Sequence, residues 1–134
     1  MSDSPVVQTD GTTLSKFNED TIRIKFKDGA NVNLEEAIEI RDQSFLLFPD
    51  RKFLALVDAS KIFGNVSPEA LKFFAQDELL ISRRMAQAIV VDNLALKILA
   101  NFYLRVMQPK REAKIFSKEE DAISWLSERK HLLE

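Results

Sequence analysis

The sequence contains no cysteine and only one histidine, His131. Without cysteine the chain has no disulfide, no thiolate nucleophile and no cysteine ligand for zinc or an iron–sulfur cluster. A single histidine leaves little room for the usual general-base arrangements, and neither a glycine-rich phosphate loop nor a G-x-S-x-G turn occurs. The sequence therefore favours a protein that is not an enzyme, and it predicts no metal and no cofactor.

Glycine, proline, long apolar runs and net charge are also scarce. Three glycines and four prolines in 134 residues exclude collagen-like and low-complexity chains. No run approaches the roughly 18 apolar residues of a membrane span, and the first residues lack the pattern of a signal peptide. A net charge of −2 makes nucleic acid a poor candidate partner. We therefore expect a cytoplasmic protein without an integral membrane segment.

Hydrophobic residues make up 46% of the chain and charged residues 30%, as in an ordinary globular protein. A chain of this length can bury one hydrophobic core. Residues 1–12 are polar and unpatterned, which predicts a disordered tail. Residues 13–134 are predicted to form a single α/β domain.

The first half of this domain is predicted to begin as an antiparallel hairpin. Residues 13–17 and 21–26 form its two strands, because apolar and basic residues alternate in the second strand. A helix follows, and it is expected to end near Phe48. Asn33 and Glu36 have the spacing of a capping box at the start of this helix.

The second half alternates nearly continuous apolar runs with helical patterns. We predict strand 53–57, helix 68–82, strand 85–91, helix 93–107, strand 113–116 and a final helix after residue 117. Ser67 precedes a proline as a good N-cap, and Ser117 with Glu120 has the spacing of a second capping box. Continuous apolar strands separated by helices are typical of parallel pairing. The fold class is therefore α/β, with a mixed sheet that joins an antiparallel N-terminal hairpin to parallel βαβ units.

Four local strings stand out: FKDG at 26–29, VDAS at 57–60, ANF at 100–102 and, most tellingly, KIFSKEEDAISWL at 114–126. These strings and the element order resemble the STAS superfamily, whose founding members are bacterial anti-sigma-factor antagonists. The resemblance is especially to the STAS/SEC14-like bacterial branch, and it spans nearly the whole domain. It implies a mixed sheet flanked by helices and a role in protein interaction rather than catalysis.

The resemblance also implies a candidate phosphorylation site, Ser67. In the antagonists, a serine at the start of the corresponding helix is phosphorylated within an Asp-Ser-Ser-Gly-like context. Here Val66, Pro68 and Glu69 depart from that pattern. A phosphate would be stabilised by the helix N-terminus but opposed by the charge of Glu69. The alternative is that Ser67 serves only as a helix cap.

Polar residues near the predicted strand ends form a second candidate site. They are Asp58, Ser60, Asn65 and Asp92. In open α/β sheets ligands bind beyond the carboxyl ends of the parallel strands, so these residues predict a weak magnesium or phosphate pocket, and their oxygen ligands suit magnesium. The alternative is structural, because Asp58 can fold its loop by an Asx turn and Asp92 with Asn93 can cap the next helix.

Helix 93–107 is predicted to have more apolar surface than one sheet can cover. One stripe, made of Ala95, Ile98, Leu99, Phe102 and Val106, is expected to face the sheet. A second stripe, made of Leu96, Tyr103, Leu104 and Met107, then needs another cover.

Three covers for the second stripe stay open. A neighbouring helix could cover it through Phe73, a second copy of the chain could bury it in a homodimer, or it could line an apolar ligand groove. In the groove, Lys97 or Arg105 would meet an acidic head group. We expect a non-catalytic interaction or regulatory module, homodimeric and with an unidentified protein partner. The main alternative is a module that binds a lipid or another apolar small molecule, and the second is a regulator switched by phosphorylation of Ser67.

Overall fold

The computed structural model of the protein describes residues 6–60 and 65–134. Within these residues the strands are β1 (Val6–Gln8), β2 (Thr12–Lys16), β3 (Thr21–Phe26), β4 (Asn31–Val32), β5 (Phe53–Asp58), β6 (Asn65–Val66), β7 (Arg84–Val90) and β8 (Glu112–Phe116). The helices are α1 (Leu34–Leu47), α2 (Pro68–Gln76), α3 (Glu78–Arg83), α4 (Leu94–Phe102) and α5 (Glu119–Ser127). A π-helical turn (Tyr103–Met107) continues α4, and a 3₁₀ helix (Lys130–Leu133) follows α5.

A mixed sheet forms the centre of the fold. Its strand order is β1-β2-β3-β5-β7-β8. The first three strands pair antiparallel, and β3, β5, β7 and β8 pair parallel to one another. The predicted fold class, with an N-terminal antiparallel hairpin followed by parallel βαβ units, is confirmed. Strands β4 and β6, of two residues each, form a separate small parallel pair.

The prediction of a disordered tail over residues 1–12 is wrong for residues 6–12, whereas residues 1–5 lie outside the described part of the chain. Strand β1 pairs with β2, and Thr12 is fully buried. The Glu36 carboxylate accepts hydrogen bonds from the Gly11 amide at 3.1 Å and from the hydroxyls of Thr12, at 2.7 Å, and Thr9. A three-residue strand is too short to show a period, and the hydrogen bonds of residues 9–12 to Glu36 are not local.

Most of the predicted helix caps are confirmed. The side chains of Asn33, Ser67 and Asn93 accept hydrogen bonds from the amides that open α1, α2 and α4. Ser117 is a wrong prediction, because α5 begins at Glu119 with Lys118 at the N-cap and no side-chain cap bond. The predicted helix 68–82 is broken at Asp77, whose carboxylate caps α3.

Helices cover the two faces of the sheet unequally. Helices α1, α2 and α4 pack with one face in the larger hydrophobic cluster, while α5 packs on the other face in a smaller one. In β5, Phe53, Ala55 and Val57 belong to the larger cluster, whereas Leu54 and Leu56 belong to the smaller. This alternation decides which side chains can reach the space under the larger helical layer.

Candidate functional site

Helix α4 lies over the sheet in a different orientation from the one predicted. Leu96 and Tyr103 are buried, whereas Ile98, Phe102 and Val106 are exposed. The stripe expected to face the sheet therefore largely faces solvent, and part of the second stripe enters the core. Because apolar residues occupy most of the helix circumference, periodicity alone did not distinguish the two faces.

The other proposed interface residues are also turned inward to some degree. Phe73, Leu104 and Met107 are half-buried against the larger hydrophobic cluster. They do not form the exposed patch that the second stripe would have provided. Phe73 and Met107 are accordingly placed against the core rather than on a free surface.

An apolar cavity of about 110 Å³ lies between the sheet and helices α1 to α4. We call it the sheet–helix cavity. Its apolar wall includes Ile24, Ala55, Leu71, Ile89, Leu96 and Ala100. It is partly open to solvent, so a ligand could enter without dismantling the sheet.

Two residues of β7, Arg84 and Gln87, bring polar groups to the wall of this cavity. Gln87 donates from Nε2 to the Tyr103 hydroxyl at 2.7 Å, and both side chains are buried. Arg84 is 5% exposed and donates from Nη2 to the Phe74 carbonyl at 2.6 Å. Neither β7 residue was among the predicted site residues. Two polar residues in an otherwise apolar strand were the signal that could have identified them.

A second arginine of the wall, Arg41, is already neutralised. Its guanidinium lies 3.0 Å from an oxygen of Asp42 and 3.3 Å from an oxygen of Asp77. Desolvation acts to lower the pKa of Arg41, but its hydrogen bonds and charge interactions with these carboxylates outweigh it and raise that pKa above its ordinary value. Arg41 therefore holds α1 to the junction of α2 and α3.

Of the polar residues predicted at the strand ends, Asp58 and Ser60 form a local turn, and the Asp58 carboxylate also lies 3.8 Å from Nη2 of Arg23. Asp58 is buried, and its Oδ1 accepts from the Ser60 amide at 3.1 Å and the Ser60 hydroxyl at 2.6 Å. This is the Asx turn that the sequence allowed. Asp92 is exposed next to the α4 cap, and the side chain of Asn65 lies outside the described part of the chain. Within residues 6–60 and 65–134, no group of three or more acidic or histidine side chains is placed to hold a metal ion.

The remaining candidates do not contribute to the cavity wall. Ser67 is half-buried, and its hydroxyl accepts from the Ala70 amide at 3.0 Å. Lys97 and Arg105, expected to meet an acidic head group, are exposed on the far side of α4 and its continuation. In the described ranges, no helix has both the length and the apolar character needed to cross a bilayer.

The sheet order and the helical layers define a SpoIIAA-like fold, the architecture of STAS proteins. This chain is similar to the crystal structure of an uncharacterized protein of the DUF3478 family with a SpoIIAA-like fold from Shewanella loihica PV-4. The TM-score is 0.56 at 16% identity, and the match covers 94% of this chain and 97% of that one. The predicted STAS resemblance is confirmed at the level of the fold.

The chain belongs to the family described as a domain of unknown function, DUF7793, which matches residues 15–130. A comparison with curated proteins finds no match.

Proposed function

We propose that this protein is a non-catalytic binding module that holds a small apolar molecule in the sheet–helix cavity. The observation that carries the proposal is the cavity itself, because protein interiors are otherwise packed about as densely as organic crystals. An apolar cavity of about 150 Å³ is known to bind benzene. The cavity of about 110 Å³ is close to that size, and it is partly open to solvent.

The polar groups of the wall support binding rather than catalysis. The Ser44 hydroxyl donates to the Ile40 carbonyl at 2.6 Å, and the Tyr103 hydroxyl accepts from Gln87. Among the described residues, neither hydroxyl is hydrogen-bonded to a histidine or a carboxylate that could act as its base. The wall therefore offers shape and a few fixed polar contacts, as small-molecule sites do.

Benzene provides a direct test. We expect saturable shifts of backbone amide resonances around Leu99 and Ala100 when benzene is titrated into the protein. Ala100→Leu should abolish this binding, because the larger side chain occupies the cavity. Ala95→Leu is the matched control, since Ala95 lies on the exposed side of the same helix, and it should bind benzene like the wild type.

Two results would contradict the proposal. One is a wild-type protein whose amide shifts are absent or scattered over the surface at saturating benzene. The other is an Ala100→Leu protein that binds benzene as tightly as the wild type does. Since the wild-type shift map needs no substitution, it decides the question even if Ala100→Leu does not fold.

Self-association is a second candidate function, and the surface of α4 favours it. Leu94, Ile98, Phe102 and Val106 are 74%, 62%, 41% and 59% exposed. They are spaced four residues apart along α4 and its π-helical continuation, so they form one stripe, which we call the outer face of α4. Exposed apolar patches mark interfaces, and a twofold pair of identical chains is the commonest arrangement that buries one.

A further inference from the structure

Arg84 is a buried cation with an incomplete set of partners. The guanidinium is permanently charged, and the residue is 5% exposed. Its Nη2 donates to the Phe74 carbonyl, but its buried Nε has no hydrogen-bond partner among the described residues. In the same part of the chain, no carboxylate lies within 4.0 Å of it, whereas Arg41 has two such partners.

The sheet is built irregularly at the point where Arg84 enters the cavity wall. Phe53 of β5 pairs with Arg84, but the next residue, Leu54, pairs with Ala86. Met85 is therefore an extra residue in β7, and it packs with the cluster on the α5 face. The side chains of Arg84 and Phe53 lie on the same face of the sheet, and both line the cavity. Bulges in general are over-represented next to active sites, where they redirect a side chain.

The hydrogen bond from Arg84 to α2 satisfies only part of the guanidinium group. The Phe74 carbonyl belongs to the last turn of α2, where a cation is favourable. A helix C-terminus carries about half a negative charge, which does not neutralise a full positive charge. The buried Nε group of Arg84 also has no hydrogen-bond acceptor among the described residues. Buried charges in proteins are normally paired with an opposite charge and hydrogen-bonded, and Arg84 has no such partner among the described residues.

We propose that the ligand of the sheet–helix cavity is a small apolar acid, whose carboxylate accepts a hydrogen bond from Arg84 Nε while its apolar part occupies the cavity. This inference rests on the proposed function and names the chemical class of its ligand. A carboxylate supplies the missing charge, and hydrogen bonds between two charged groups are the stronger ones in proteins. Once the ligand is bound, the apolar wall excludes water from the contact between its carboxylate and the Arg84 guanidinium.

Benzoate and benzamide test this assignment, because they have nearly the same shape and differ in charge. At neutral pH we expect the wild type to bind benzoate more tightly than benzamide by about tenfold or more, in the range of a charge-assisted hydrogen bond. Arg84→Met should remove the preference. Arg105→Met is the matched control, because it removes the same charge from the exposed surface of the π-helical turn, and it should retain the preference. Calorimetry gives the affinities, and circular dichroism checks the fold.

The outcomes separate this inference from the proposed function. If wild type binds benzene in the cavity but binds benzoate no better than benzamide, the acid ligand is wrong and the apolar site stands. If neither benzene nor benzoate binds, both proposals fail. A preference for benzoate that survives Arg84→Met overturns the role of Arg84.

A wild-type readout covers the case in which Arg84→Met does not fold. The side-chain Nε–H resonance of Arg84 should shift saturably on addition of benzoate, and it should shift less on addition of benzamide, whose carbonyl is an uncharged acceptor. An Nε–H resonance that is insensitive to saturating benzoate would overturn the proposed contact.

Discussion

At the scale of single residues, the hydroxyl of Ser67 is a helix cap. Ser67→Ala removes the acceptor of the Ala70 amide, so we expect the free energy of unfolding to fall by about 1 kcal/mol. Ser67→Asp should largely keep the stability, because aspartate is also a good N-cap residue. Urea denaturation measures both values.

Ser124 provides the control for this prediction, since it is an exposed residue within α5. Ser124→Ala should leave the stability nearly unchanged or raise it slightly, because alanine favours a helix interior. Equal stabilities of Ser67→Ala and Ser124→Ala would contradict the capping role. Phosphorylation of Ser67 stays a prediction, and mass spectrometry of the protein purified from cells would detect it.

Residue roles that depend on near neighbours could be predicted from the sequence. The caps at Asn33, Ser67 and Asn93 are set by bonds that reach only three residues along the chain. The position of Arg84 could not be predicted in the same way. It depends on a register shift between two strands, and the partner strand begins at Phe53, far away in sequence.

At the scale of elements, α4 was predicted in the right place but in the wrong rotation. The rotation depends on a contact in the core. Tyr103 turns inward, and its hydroxyl accepts a hydrogen bond from Gln87. That contact joins residues 16 positions apart, so no local period reveals it. The short strands β1, β4 and β6 were missed for a related reason. Two or three residues hold no periodic signal, and their pairing is set by the rest of the fold.

The outer face of α4 leads to a prediction about oligomeric state. If this face pairs with a second copy of the chain, light scattering coupled to size exclusion should report a dimer. Ile98→Glu should convert it to a folded monomer, because a charge would be buried at the centre of the stripe. Asn101→Glu introduces the same charge at an exposed polar position of α4 and should stay dimeric.

A monomeric wild type, or a dimer that persists in Ile98→Glu, would exclude the outer face of α4 as the interface. Tyr103→Glu is not a suitable probe of this interface, because Tyr103 is buried against the sheet. That substitution should unfold the protein instead.

At the scale of the whole molecule, ligand binding should stabilise the complete fold. The sheet–helix cavity is lined by residues of β3, β5 and β7 and of four helices, so a molecule in it lies among side chains contributed by all of these elements. At a benzene concentration of about 100 times Kd, the added stability is about 2.7 kcal/mol. Thermal unfolding should therefore show a Tm that rises with benzene concentration.

The cavity-filling variant Ala100→Leu should distinguish a rise in Tm caused by benzene in the cavity from a general effect of benzene on the solvent. Ala100→Leu should show no rise in Tm with benzene, whereas Ala95→Leu should respond like the wild type. An equal response of Ala100→Leu and wild type would place the benzene outside the cavity.

The whole fold was more predictable than its site. Alternating apolar runs and helical patterns identify an α/β sheet, because the period of a strand and that of a helix differ everywhere along the chain. The cavity arises where four helices meet the sheet at particular rotations, which no single segment determines. Of the candidates predicted at strand ends, Asp58 forms a local turn with Ser60.

The buried carboxylate of Glu36 also has a consequence for the order in which the chain can be completed during synthesis. Its hydrogen-bond donors in residues 9–12 emerge from the ribosome before it does, by 24 to 27 positions. The hydrogen bonds between Glu36 and the N-terminal edge of the sheet therefore cannot form until α1 has been synthesised. The segment between β1 and β2 therefore depends on a later helix for its final position, and α1 in turn forms one wall of the cavity.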